Sequence, residues 1–295
     1  MPANHTSHGV IVKTLFLFIL LNTLCLFFIT LAQAETNPAI KFGVMSLAQP
    51  ARIHAQWQPF VNYLKTKTGH DIEIVVPRGF KKIKEAIANS EVDLFYINSH
   101  VFYRLLKDKK ALPIAQMLNL DGRIYSRSDI IVRKDSGIEN VQGLKGKKFA
   151  YVSPMGAGGY LAPRAYLHKN GVDVSGFEPI FTKNLTTSIH KVLLKETQGA
   201  TMCGLNFKLM SRKINTGELR AIAISDDYPE NLIGARPEVS ENIRNEFHDV
   251  IVNMQNDPQG REILAGMSGM KVKQFVNYDP EIEHVIEKLL KEAGM

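Results

Sequence analysis

Apolar residues along the chain keep two periods in turn. KFGVMS (41–46) reads as a strand, and residues 53–68 follow with Trp57, Phe60, Val61 and Leu64 at helical spacing. Gly69 stands just past that helix, where a left-handed cap is common. DIEIVVP (71–77) alternates β-branched residues and predicts a strand. Residues 80–89 predict a helix, VDLFYI (92–97) a strand and 99–107 a helix. LPIAQML (112–118) and SDIIVRK (128–134) are strands, parted by the turn signal Asp121-Gly122-Arg123. A second series opens with GLKGKKFAYV (143–152), a strand ending at Val152. Its helix is expected to begin near Tyr160, followed by the strand EPIFT (178–182) and a helix over 187–197. GATMC (199–203) is a strand, 207–212 a short helix and LRAIAIS (219–225) a strand. The last 60 residues are expected to be mostly helical, including the amphipathic EIEHVIEKLLKEAG (281–294). Strands alternating with helices predict parallel sheets covered on both faces, in an α/β fold.

The two series are each the size of one small α/β lobe. SDIIVRK and LRAIAIS are the natural crossings, so the chain should leave lobe 1 near Arg127 and return near Ala223. Residues 35–127 plus 223–295 then form a discontinuous lobe 1 and residues 128–222 form lobe 2. Two lobes joined by two strands make a hinged cleft faced by strand C-ends and helix N-termini.

The first 34 residues read as a targeting segment. Lys13 is the one Lys or Arg ahead of an apolar run over 15–31, which ends in Ala32-Gln33-Ala34, a signal-peptidase pattern. Cleavage after Ala34 would leave about 260 residues, enough for two lobes. A retained anchor is the rival reading, since the run is long enough to span a bilayer. Of the two cysteines, Cys25 lies in that segment, so Cys203 has no intramolecular partner after cleavage. Cys203 sits among apolar neighbours and reads as a packed residue. No Cys/His cluster argues for a metal, and no cofactor is expected.

The chain carries 36 Lys and Arg against 29 Asp and Glu, a net charge of +7, of which the targeting segment holds one unit. The basic residues form short scattered groups rather than a stripe, which argues against nucleic-acid binding. A basic surface still concentrates small anions.

The candidate chemistry lies in SPMGAGGYLAPR (153–164). Gly156, Gly158 and Gly159 fall where a strand turns into a helix. Such a start exposes N–H groups without intrahelical partners, at the positive end of the helix dipole. Without side chains, a ligand can come close to the backbone. The segment is therefore a candidate anion site; the alternative is an ordinary strand-to-helix turn. Arg127 either reaches the anion or is a hinge-surface charge. His100, after a strand C-end, either faces the cleft or packs. Asp226-Asp227 precedes Tyr228-Pro229 and reads as a solvated turn. Ser153 precedes Pro154 rather than sitting in a nucleophile elbow, so no enzyme is expected.

GVMS (43–46), WQPFVNYLKTKTG (57–69), VDLFYINSHVF (92–102), IIVRKDSGI (130–138) with LKGK (144–147), and GGYLAPR (158–164) together resemble the periplasmic phosphate-, phosphite- and phosphonate-binding proteins of ABC importers. The resemblance covers nearly all of the chain after residue 34. It implies a type II periplasmic-binding-protein fold, a small anionic solute, a membrane permease as partner, a periplasmic location and a monomer. It also implies that the N–H groups of Gly158, Gly159 and Tyr160 hold the anion. Tyr96 matches a cleft aromatic, with Asn98 and Ser99 beside it, and Met45 and Ser46 face the same cleft. The chain departs from its relatives in two places. Its loop, PMGAGGY, lacks their Ser and Thr hydroxyls. Thr186, Asn206 and Asn231 stand near positions where phosphonate binders carry a His and carboxylates, which leaves no counter-charge for an ammonium group. The second function consistent with this pattern is a sensory or accessory protein that closes on a ligand and docks on a receptor kinase.

Overall fold

Two mixed β-sheets with helices packed on them make up the structure, a computed structural model that describes residues 38–45 and 49–295. The predicted targeting segment and Ser46 lie outside the described residues. Among the described residues no helix is long and apolar enough to cross a membrane.

In chain order the first sheet receives β1 (Ile40–Val44), α1 (Pro50–Thr68), β2 (Ile72–Val75), α2 (Gly79–Ala88), β3 (Leu94–Ile97), α3 (Ser99–Lys107) and β4 (Leu112–Asn119). A two-residue strand, β5 (Tyr125–Ser126), leads into β6 (Ser128–Arg133) of the second sheet. There follow β7 (Lys148–Tyr151), α4 (Ala162–Lys169), β8 (Glu178–Phe181), α5 (Leu185–Leu193), β9 (Gly199–Cys203), α6 (Gly204–Met210) and β10 (Leu219–Ile224). The chain returns through β11 (Tyr228–Pro229) to β12 (Leu232–Ala235), α7 (Glu241–Val252), α8 (Pro258–Gly266), β13 (Val272–Val276) and α9 (Glu281–Glu292).

The six-stranded sheet has the order β13-β4-β12-β3-β1-β2 and the five-stranded sheet the order β10-β6-β9-β7-β8. SDIIVRK and LRAIAIS, expected as the crossings, are β6 and β10 and pair inside the second sheet; the chain crosses instead through β5 and β11, which pair between the sheets as an antiparallel ribbon. This is the two-lobed α/β fold that the alternation of elements predicts.

The prediction of parallel sheets holds only for part of each. β1 runs parallel to β2 and β3, and β7 parallel to β8 and β9. β12, however, runs antiparallel between β3 and β4, and β6 runs antiparallel to β9 and β10. A strand that enters a sheet directly from a crossing, without a covering helix, can come in reversed. The last 60 residues are mostly helical, as expected, with β13 among them; β12, just before them, is a strand that the sequence reading did not place. β12 is only Leu-Ile-Gly-Ala, and its glycine reads locally as a turn. In the fold that glycine is needed: a Cβ at Gly234 would lie 2.6 Å from the Phe102 ring and 2.9 Å from Phe95. The helix expected over 187–197 is α5, which ends at Leu193; the helix expected over 207–212 is α6, which starts directly at Gly204.

Side chains of α1 anchor the first lobe. Trp57 and Phe60 meet edge to face with centroids 5.3 Å apart, and both pack on Phe42. Tyr96 packs on Trp57 with the rings tilted and their centroids 4.6 Å apart, and Phe275 closes the cluster. Such aromatic groups bury large areas and fix the strand ends that they cover. Gly69 ends α1 at φ 71°, with its N–H on the Lys65 carbonyl.

α3 starts where β3 ends. The Asn98 side chain accepts the Val101 N–H at 3.1 Å and so caps the helix. His100, in the first turn, is 1 % exposed and packs rather than facing the cleft. Its Nε2 accepts from Arg104 Nε at 3.2 Å, and burial, with Arg104 and Lys84 nearby, pushes its pKa down to about 4. The neutral ring is therefore favoured by folding. The unfolded chain takes up the proton near pH 6.5 and the folded one near pH 4, so stability falls as pH drops through that window. Between pH 7 and pH 5 the loss is about 2 kcal/mol. Urea unfolding of the protein and of His100→Gln at both pH values checks this: the variant should lose less stability, and an equal loss would mean that His100 titrates normally.

Candidate functional site

Strand and helix ends of both sheets converge on a cavity of about 400 Å³. That size suits a small solute. From the first lobe it is lined by Met45 after β1, Trp57 on α1, and Tyr96 and Asn98 at the end of β3. From the second it is lined by residues 156–159, Thr186 on α5 and Asn206 on α6.

The glycine segment forms a helix start, three residues earlier than its sequence suggests. Residues Ala157–Leu161 make one π-helical turn with Gly156 as its cap, and α4 continues from it. The first bond of the turn is Leu161 N–H to Gly156 O at 3.0 Å. A five-residue spacing leaves one more leading N–H group without an intrahelical acceptor than an α-helix would. These groups, from Ala157 to Tyr160, begin the helix whose first turn lines the cavity.

Two contacts fix the turn. Ser128 Oγ donates to the Gly158 carbonyl at 2.5 Å. Tyr228, on the crossing strand β11, packs so closely on Gly158 that a Cβ there would lie 2.2 Å from its hydroxyl oxygen. The glycine at 158 thus serves packing as well as ligand approach. Gly159 is open by comparison, its nearest neighbour for a Cβ being Val152 at 3.6 Å.

Across the cavity, Asn98 presents a second donor. Its Oδ1 is used by the α3 cap, whereas its Nδ2 is buried and has no hydrogen-bond partner among the described residues. Tyr96 is held by its neighbours: its hydroxyl donates to Met117 Sδ at 3.0 Å, and burial keeps its pKa well above the usual phenol range.

The cavity also holds an ion pair that sequence reading passes over. Lys271 Nζ lies 3.1 Å from Glu230 Oε2 and 3.4 Å from Cys203 Sγ. The Glu230 side chain is 1 % exposed and that of Lys271 10 %. Burial alone would push the Lys271 ammonium toward neutrality. Cys203, Glu230 and Tyr96 outweigh it and hold the pKa above the ordinary lysine range. Glu230 Oε1 additionally accepts from Ser126 Oγ and from Asn119 Nδ2. One carboxylate therefore joins β4, both crossing strands and the segment before β13. Nothing in MSGMKVKQF (267–275) or DDYPENL (226–232) signals such a pair locally, because its members meet only through the sheet order. Arg52 and Lys213 also line the cavity, from opposite lobes, and both are exposed.

Three predicted residues are turned elsewhere. Ser99 is buried and donates to the Pro229 carbonyl at 2.6 Å, tying α3 to the crossing strand. Arg127 pairs with Asp227 at 2.7 Å on the surface beside Arg123, which makes it a hinge-surface charge. The Tyr160 ring packs among Tyr151, Phe181 and Arg164 and leaves only its backbone at the helix start. Cys203 is packed, as its apolar neighbourhood suggests, and Trp57 is core and cavity wall at once.

Residues 42–281 match the family described as ABC transporter, phosphonate, periplasmic substrate-binding protein. A phosphonates-binding periplasmic protein of Escherichia coli K12 is 24 % identical over 237 residues, 78 % of this chain and 70 % of the relative. Among solved structures, a binding protein component of an ABC phosphonate transporter from Pseudomonas aeruginosa aligns with TM-score 0.75 at 21 % identity, covering 86 % of each chain. PhnD1 from Prochlorococcus marinus, solved in complex with methylphosphonate, aligns with TM-score 0.75 at 17 % identity, covering 87 % of this chain and 98 % of its own.

The unequal space at the two glycines gives a direct test. Gly158→Ala is expected to cost about 1–3 kcal/mol of stability through its overlap with Tyr228. Gly159→Ala should be neutral or stabilising by up to about 1 kcal/mol, because alanine favours the helix. Urea unfolding without ligand checks both; equal effects would mean that Tyr228 does not press on the turn.

Proposed function

The chain belongs to the periplasmic substrate-binding proteins of phosphonate ABC transporters, and on that premise we propose that it captures a small phosphonate- or phosphate-like oxyanion in the cavity between its lobes. The observation that carries this reading is the pairing of two donors across one space. The leading N–H groups of the helix at Ala157 lie on one lobe, and the unpartnered Nδ2 of Asn98 lies on the other. An oxyanion satisfies both at once and so draws the lobes together. Gly158, Gly159 and the Tyr160 N–H hold the oxygens, while Met45, Tyr96, Thr186 and Asn206 shape the space around the substituent. Backbone donors take the place of the hydroxyls that the loop lacks.

Domain motion follows the same reading. Residues 35–127 plus 223–295 move against residues 128–222, with the β5–β11 ribbon as hinge. Family membership places the protein in the periplasm with a membrane permease as its partner. We take cleavage after Ala34 to release it, and the working form to be a monomer that binds its solute without transforming it.

Thermal unfolding against methylphosphonate, phosphate, phosphite, a sulfonate and a neutral solute tests the ligand class. An oxyanion at about 100 times its dissociation constant adds about 2.7 kcal/mol of stability, whereas the neutral solute adds none. A shift with the neutral solute alone would contradict the reading. Asn98→Asp tests the donor. It keeps an acceptor for the α3 cap but replaces the free N–H with a carboxylate, so affinity for the same oxyanion should fall at least tenfold, about 1.5–3 kcal/mol. Unchanged affinity would move the site away from Asn98.

A further inference from the structure

The cavity has one carboxylate, and this chain has filled it from within. Among the described residues that line the cavity, Glu230 is the only acid. Its Oε1 is shared by Ser126, Asn119 and Lys271, and its Oε2 is held by the Lys271 ammonium at 3.1 Å. Lys271 reaches it from the segment just before β13. It follows the 3-10 turn Met267–Met270, as its cap at φ 68°, and unlike Lys109, Lys183 and Lys195, which share a positive φ but are exposed, it turns its side chain into the protein. A buried ammonium seated on a buried carboxylate is the arrangement that an amine-bearing ligand would itself make.

We propose that Lys271 is a tethered ammonium that occupies Glu230 and thereby selects oxyanions without an amine. This rests on the oxyanion reading above and names the ligand class within it. A zwitterionic ligand brings an ammonium into a cavity whose only carboxylate is already paired. It would have to displace Lys271 or leave its own charge desolvated beside Lys271, Arg52 and Lys213. The space around the anion site is instead walled by Trp57, Leu209, Met210 and Met270, which suit an alkyl substituent. Lys271 is thus a specificity-determining residue, not an anchor that every phosphonate needs.

Two ligands of nearly equal shape separate the cases: propylphosphonate, and 2-aminoethylphosphonate, in which an ammonium replaces the terminal methyl. Calorimetric titration is carried out on the protein purified from the periplasmic fraction. The unmodified protein should bind propylphosphonate at least tenfold tighter. In Lys271→Met the carboxylate is released, and the affinity ratio should move toward the amine by at least tenfold. Adding Glu230→Gln to that variant should reverse the gain. A merely structural ion pair would weaken both ligands alike and leave the ratio in place, which would overturn the proposal while the oxyanion site stood. If Lys271→Met does not fold, the unmodified protein decides alone: equal or tighter binding of the amine overturns the proposal, and a tenfold preference for propylphosphonate supports it. Should neither phosphonate bind while phosphate, phosphite or methylphosphonate does, the proposal fails and the oxyanion reading stands; should none of these oxyanions bind, both fail.

Discussion

The N–H groups from Ala157 to Tyr160 precede the first hydrogen bond of their helix, Leu161 N–H to Gly156 O. Donors at that place are either solvated or matched by an acceptor of the right charge. Here they begin a helix at the edge of a cavity between two sheets. The π-helical turn widens the set, and the helix dipole adds partial positive charge in the same direction. An anion in the cavity satisfies several groups for little reorganisation, because the turn is already formed.

The packing around that turn explains why it can be held so firmly. Tyr228 fills the space that a side chain at 158 would take, and Ser128 holds the Gly158 carbonyl. Tyr228 belongs to the crossing strand β11, and Ser128 opens β6 two residues after the crossing strand β5. Ser99 and Glu230 bond to the same crossings, through Pro229 and Ser126 respectively. The helix start at Ala157, the α3 cap and the buried ion pair are thus joined to the two segments that cross between the sheets. The cavity wall and the crossing strands are one packed, hydrogen-bonded unit rather than neighbours through any single contact.

Much of this was legible in the sequence, and what was not has a physical cause. Residues 99–107 and the glycine cap at 69 were readable because they depend on local spacing and on one residue type. The helix start was readable as a glycine-rich strand-to-helix junction, although it begins at Ala157 rather than near Tyr160, since a π-helical turn has no spacing signal of its own. β12 was hidden because four short residues acquire their strand character from β3 and β4 on either side. Lys271 and Glu230 lie 41 positions apart and meet only in the folded chain. Ser99 and Arg127 were placed by sequence beside the right elements, but which way a side chain turns at a strand end depends on the partner across the gap. For Ser99 that partner is the Pro229 carbonyl, and for Arg127 it is Asp227.

The central claim is that backbone donors at the start of this helix hold an oxyanion. The most direct measurement is a proton–nitrogen correlation spectrum of the 15N-labelled protein titrated with methylphosphonate. The account predicts that the amide protons of Ala157, Gly158 and Gly159 move downfield in proportion to bound ligand, as they do when an amide gains a charged acceptor. Saturable binding that leaves those amides in place while signals elsewhere shift would contradict it.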